Sequence, residues 1–318
     1  MSVLYLTESD VLRLADVRLA LDAVQEAFVQ LAAGQADNVP RARARGRGVV
    51  LHSMSAAADY LGVVGWKNYT TTRAGAQFLV GVHDKETGRL VALIEADALG
   101  QLRTGATTGV ATQWMAERGA TELGLFGTGR QAAAQLRAAA AVRPIRQAFV
   151  YGRNEERREH FCERMSEELQ IDVEPVDRPQ EAAEDLPIVI TATSSTEPVF
   201  AGEWLAEGAL VCAIGSNWLG RAEIDSDVIR RADNIVCDSV EACRREAGDF
   251  ADALAKGIFD WSRAVDLATV VSGQASGRNS PLSVVLFKSV GLAIEDVALA
   301  SKLVERARRE GVGQDLPL

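Results

Sequence analysis

The segment Gly127-Thr128-Gly129-Arg130-Gln131-Ala132 follows the apolar run Leu123-Gly124-Leu125-Phe126 directly and precedes a stretch with helical spacing, Gln131 to Ala141. A GxGxxA turn between strand and helix is a strong local constraint. Gly127 permits the tight turn, Gly129 lets the backbone approach a pyrophosphate, and Ala132 allows the helix to pack closely on the strand. Backbone N–H groups at the helix start then face the phosphate charge. The residues that follow support such a unit. Ala148–Tyr151, Ile188–Ala192, Leu210–Ile214 and Asn234–Cys237 are short apolar runs, and helical stretches such as Arg157–Leu169 lie between several of them. Short apolar strands alternating with helices require a parallel sheet covered on both faces.

The flanks have a different pattern. Val3–Leu6 reads as a strand, Thr7 with Asp10 as a helix start, and Asp16 as the cap of a second helix that stops at Gly34. Val49–Met54, Leu61–Trp66, Phe78–His83 and Leu90–Glu95 are strand-like; Asp84-Lys85-Glu86-Thr87-Gly88 is a turn between the last two. Leu102–Ala116 reads as a helix, as does Leu292–Arg309. The expected fold class is α/β, a Rossmann doubly wound parallel sheet inserted into a smaller α+β domain. The expected boundaries are 119–288 for the Rossmann domain and 1–118 plus 289–318 for the other, which would carry substrate binding and dimerisation.

With 34 basic and 44 acidic residues the formal charge is −10, which argues against general affinity for nucleic acid or anionic membranes. Cys162, Cys212, Cys237 and Cys243 have no CxxC spacing, and three histidines complete no metal-ligand pattern. We expect reduced thiols, no metal, no membrane segment and a cytoplasmic protein. Scattered His52, His83 and His160 support no nucleophilic triad, and no Walker motif occurs.

Arg41, Arg43 and Arg45 alternate with alanines, so in a strand all three share a face, where guanidinium groups can pair with carboxylates or simply be solvated. Lys67 follows an apolar run; it is either a desolvated ammonium with a lowered pKa or a snorkelling strand-end lysine. The second strand of the dinucleotide unit ends at Tyr151-Gly152-Arg153-Asn154, with no Asp or Glu to accept from a ribose 2′-hydroxyl. An Arg there suits a 2′-phosphate, and Arg157 or Arg158 can add a second charge, so NADP(H) is favoured over NAD(H).

Taken together, Arg43, Gly65-Trp66-Lys67, the Asp84–Gly88 turn, Leu102-Arg103-Thr104, the Gly127–Ala132 turn, Thr191-Ala192-Thr193-Ser194, Glu246-Ala247-Gly248-Asp249, Phe287-Lys288-Ser289-Val290-Gly291 and Asp296 resemble the ornithine cyclodeaminase/mu-crystallin family across nearly the whole chain. The resemblance implies a homodimer joined through the first domain and an active site between that domain and the Rossmann domain. It implies that Arg43, Lys67 and Arg103 surround the carboxylate of an amino-acid-like substrate. It also puts Thr104 and the strand end Thr191, Ala192 and Thr193 near the cofactor, where they join Gly127, Thr128, Gly129, Arg130 and Gln131 of the glycine turn and Arg153 and Asn154 of the second strand as candidate cofactor residues. Met54, Asn217, Trp218 and Gly291 are candidate pocket-lining residues. Cyclodeaminases of the family resemble one another in an Asp shortly after the fourth Rossmann strand; the matching position here is Asn217, and an amide cannot act as a carboxylate base. The expected activity is therefore NAD(P)H-dependent reduction of a small carboxylate-bearing imine or ketimine, or the reverse amino-acid dehydrogenation. The alternatives are a cyclodeaminase with tightly bound NAD and a cofactor-dependent small-molecule binding protein.

Overall fold

The computed structural model describes residues 2–317. The chain forms two compact units, one running to Thr104 and resuming at Gly291, the other covering Gly105–Val290.

The first unit opens with strand β1 (Val3–Leu6), helix α1 (Glu8–Leu14) and helix α2 (Val17–Ala32). A reciprocal capping box between Thr7 and Asp10 starts α1, and the Asp16 carboxylate accepts from Leu19 N to start α2. Five antiparallel strands follow: β2 (Ala36–Gly46), β3 (Val49–Ala58), β4 (Val63–Thr72), β5 (Gly75–Asp84) and β6 (Leu90–Glu95). The expected strand at Leu61–Trp66 is displaced, because Asp59–Leu61 forms a turn closed by left-handed Gly62 and the strand then runs on through the β-branched threonines to Thr72. Strand β2 lies at the sheet edge, where Pro40 and a register shift between Val39 and Ala42 are tolerated.

Helix α3 (Asp97–Met115) begins five residues before the apolar pattern that predicted it. Glu8 explains the difference, since its carboxylate accepts from both Asp97 N and Ala98 N and so caps the helix from outside its own sequence.

The second unit carries β7 (Glu122–Phe126), α4 (Arg130–Val142), β8 (Gln147–Tyr151), α5 (Glu155–Leu169), β9 (Asp172–Pro175), β10 (Ile188–Thr191), β11 (Leu210–Ala213), α6 (Ser226–Arg231), β12 (Asn234–Cys237), α7 (Val240–Glu246), α8 (Ala251–Ala255), β13 (Ala264–Asp266), α9 (Leu267–Val271) and β14 (Val285–Lys288). Its eight strands are parallel in the order β13-β12-β14-β11-β10-β7-β8-β9. Strands β10, β11 and β14 are buried along their whole length, as a sheet covered on both faces demands. The strand order reverses between β7 and β10, the switch point at which doubly wound sheets take their ligands.

The first unit resumes with α10 (Ala293–Glu310) and β15 (Gln314–Leu316), which pairs antiparallel with β1. Helix α10 lies on the inner face of the seven-stranded sheet so closely that a side chain at Gly65 of β4 would meet Val297 at 2.8 Å. Among the described residues no helix is long and apolar enough to cross a membrane.

Candidate active site

In the first unit, alternation along the strands sets the inner face: His52 and Met54 on β3, Lys67 and Tyr69 on β4, and Val80 on β5 are all buried. Met54 is the register partner of Lys67, so the two side chains stand together. The Lys67 ammonium is 3% exposed and donates to Asp296 Oδ1 at 2.7 Å. The same oxygen accepts from Arg103 Nε at 3.1 Å, and Arg103 Nη1 donates to Glu295 Oε2 at 2.6 Å. Both carboxylates are fully buried in the first turn of α10, where the helix dipole favours negative charge. Glycines make the space: Gly291 is left-handed, and a side chain there would strike Arg103 Nη1 at 2.7 Å; one at Gly100 would approach Lys67 Nζ to 3.0 Å.

Burial pushes the Lys67 ammonium down to about 8; the neighbouring Asp296 opposes that, while Arg103 and Arg41 add to it. Desolvation thus outweighs the ion pair, and Lys67 is the desolvated group rather than the snorkelling one. Arg41 is also buried here, its Nη2 donating to Gly291 O at 3.3 Å. Arg43 is half-buried one position along the same face, opposite His52. His52 stacks on Tyr69 at 4.1 Å, and its pKa falls to about 4 through burial and then Arg43, Arg41 and Arg45, so the imidazole is neutral near pH 7. Glu295 is not singled out by the sequence, and of the three alternating arginines the family resemblance points to Arg43 rather than Arg41. An acidic pair at a helix start was the available signal for the first; the bulge that brings Arg41 to the Lys67 row leaves no local mark.

In the second unit, Gly127 has φ +114°, and a side chain on it would meet Ala192 O at 2.5 Å. Only glycine fits both constraints. Gly129 is the N-cap of α4 with nothing within 4 Å of its side-chain position, no side-chain cap and no acid in the first turn. Open space over uncapped N–H groups fits a dinucleotide's pyrophosphate. Thr128 lies against Gly152, Arg130 is exposed, and Gln131 Oε1 is buried without a hydrogen-bond partner.

At the end of β8, Arg153 and Asn154 are exposed, and Asn154 caps α5 by accepting from Arg157 N. Arg158 turns inward to Gly152 O and Asp177, which leaves Arg157 as the exposed companion of Arg153. Thr104, the last residue of the first unit, turns its hydroxyl to Gly100 O within its own helix. Asn217 and Trp218 are partly buried on the loop after β11. Thr191 and Thr193 both bond the buried carboxylate of Glu223, whose pKa burial raises against the pull of Lys288. Among the described residues no three His, Cys, Asp or Glu groups are placed to hold a metal.

A parallel sheet with an open, glycine-lined phosphate turn, joined to a unit carrying a buried lysine–carboxylate–arginine cluster, defines a dinucleotide-dependent oxidoreductase architecture. The chain belongs to the ornithine cyclodeaminase/mu-crystallin family, which it matches over residues 2–311. It is 33% identical over 284 residues to Delta(1)-pyrroline-2-carboxylate reductase of Bacillus cereus, covering 88% of this chain and 87% of that protein. The Thermococcus litoralis Delta(1)-pyrroline-2-carboxylate reductase, solved with NADH and L-proline, superposes with a TM-score of 0.95 at 32% identity, over 99% of this chain and 100% of the other. An archaeal alanine dehydrogenase dimer with bound NAD superposes at 0.94 with 29% identity, over the whole of both chains.

Proposed function

We propose that this chain is an NAD(P)H-dependent reductase of a small carboxylate-bearing imine or cyclic ketimine, able to run in reverse as an amino-acid dehydrogenase. The observation that carries the reading is Lys67, a buried ammonium held on Asp296 beside Arg103. The substrate carboxylate pairs with Arg43 and Arg103, with Arg41 adding charge from the same face. Lys67 Nζ gives a proton to the imine nitrogen as the adjacent carbon is reduced, and Asp296 holds the ammonium in place. When bound at the Gly127–Gln131 turn and the Thr191–Thr193 strand end, reduced nicotinamide supplies the hydride. Met54 and Gly291 of the first unit bound the substrate beside Lys67 and Arg103. The relatives that reduce pyrroline-2-carboxylate, one of them solved with L-proline, support a cyclic imino acid as product. Asn217 disfavours cyclodeamination, because an amide cannot act as a carboxylate base.

The pH dependence follows from Lys67. Reduction needs the ammonium, so kcat/KM is expected to be flat below pH about 8 and to fall above it; oxidation needs the neutral amine, so it rises through the same pH. Lys67→Arg, which cannot titrate, should abolish that limb in whatever activity survives. A limb of unchanged position in that variant assigns it to another group.

For the cofactor, exposed Arg153 and Arg157 without a neighbouring ribose-binding acid support NADP(H), with NAD(H) as the alternative. Arg153→Ala should raise KM for NADPH about tenfold, the scale of one hydrogen bond to a charged group, and leave NADH unaffected. An unchanged preference removes Arg153 from cofactor choice. For assembly, the outer face of the seven-stranded sheet exposes Val39, Leu51, Val64 and Leu79 around Trp66. An apolar face of this kind fits a second copy of the chain, and the archaeal alanine dehydrogenase it resembles is a dimer.

A further inference from the structure

Glu223, Asp249 and Lys288 are fully or almost fully buried in the second unit and take no part in the chemistry above. We propose that Glu223 is a positioning residue for the dinucleotide, its carboxylate fastening the end of β10 to the loop after β11 while Asp249 and Lys288 hold it from behind. Four donors converge on this one group. Oε1 accepts from Thr193 N at 2.6 Å and Thr193 Oγ1 at 2.8 Å; Oε2 accepts from Gly215 N at 2.6 Å and Thr191 Oγ1 at 3.0 Å. The Glu223 backbone N–H donates to Asp249 Oδ1 at 2.7 Å, and Asp249 Oδ2 lies 2.7 Å from Lys288 Nζ, which in turn donates to Ser216 O at 2.9 Å.

The surrounding glycines keep the arrangement tight. A side chain at Gly215 would run into the Glu223 carboxylate and the Thr193 carbonyl, and one at Gly248 into the carbonyls of Leu219 and Arg221. The loop from Gly215 to Glu223, which carries Asn217 and Trp218, is thereby pinned at both ends. Between the two tethered threonines, Ala192 presents its carbonyl to Gly127 of the phosphate-binding turn. Glu223 therefore sets where β10 ends relative to that turn, on the two strands that flank the switch point. A buried ionic group of this kind contributes little net stability against its desolvation, whereas it fixes geometry closely.

The inference rests on the reading that the chain binds a dinucleotide, and titration of NADH and NADPH fluorescence tests the two separately. Glu223→Gln keeps the size but turns an amide NH2 toward a backbone N–H, so Kd for the preferred cofactor should rise about tenfold or more. Thr191→Val, which loses one hydroxyl bond and keeps the shape, should weaken binding by a smaller factor. Asp225→Ala serves as the control, because it strips the cap of α6 and lowers Tm without touching β10; its Kd should stay at the wild-type value. Wild-type Kd in Glu223→Gln, or equal weakening in Asp225→Ala, overturns the proposal in favour of a purely stabilising role. Should Glu223→Gln not fold, unchanged Kd in Thr191→Val overturns it. A wild-type chain that binds neither NADH nor NADPH refutes the dinucleotide reading itself.

Discussion

Replacing Lys67 by Met is expected to lower turnover by about 10²- to 10⁴-fold, the range for loss of a positioned acid or base, while leaving dinucleotide affinity unchanged. The methionine fills the volume of the lysine stem next to Met54 and Gly100, so folding is expected to survive. It also leaves Asp296 Oδ1 with Arg103 as a partner. Steady-state rates with both cofactors, together with a fluorescence titration of cofactor binding, check this. Wild-type turnover in the variant removes Lys67 from proton transfer.

Replacing Arg103 by Ala is expected to destabilise the fold by about 3–5 kcal/mol, because it leaves the buried carboxylates of Glu295 and Asp296 without the guanidinium that bridges them. Lys67 still pairs with Asp296, but Glu295, in the first turn of α10, loses its ion pair with Arg103. Adding Glu295→Gln should recover part of the loss, since the two residues interact directly and their effects are not additive. Urea unfolding of the single and double variants measures both effects. A loss below about 1 kcal/mol would place the pair among ion pairs that contribute little.

The parts of this protein that were legible in the sequence are those whose cause is local. The capping box at Thr7, the cap at Asp16 and the strands Leu90–Glu95 and Asn234–Cys237 depend on neighbouring residues, and the structure has them where the pattern predicted. Spacing also identified the glycine turn at Gly127 together with its strand and helix. Elements with distant causes were not legible. The start of α3 is set by Glu8, about ninety residues away in sequence. Strand β2 has a polar, proline-containing sequence and is held by its partner; β9 has one buried apolar residue, Val173, and lies at a sheet edge. Within the candidate site, Lys67 and Arg103 stood out as residue types and Asp296 only through the family resemblance, whereas Glu295, which holds Arg103, lies about 190 residues further along the chain and was not singled out. Thr193 likewise stood out in a strand end, whereas its anchor Glu223 lies 30 residues on, across the next strand. Burial distinguishes Lys67 from a generic basic residue, because desolvation lowers its pKa to about 8.

The most direct test of the central claim is the stoichiometry of cofactor and product with a cyclic imine carboxylate such as pyrroline-2-carboxylate. The purified chain is incubated with NADPH or NADH, and loss of reduced-nicotinamide absorbance is compared with formation of the cyclic imino acid. Imine reduction predicts one cofactor oxidised for each imino acid formed. Release of ammonia from ornithine or lysine with no net change in reduced cofactor, and no consumption of the imine, would contradict it.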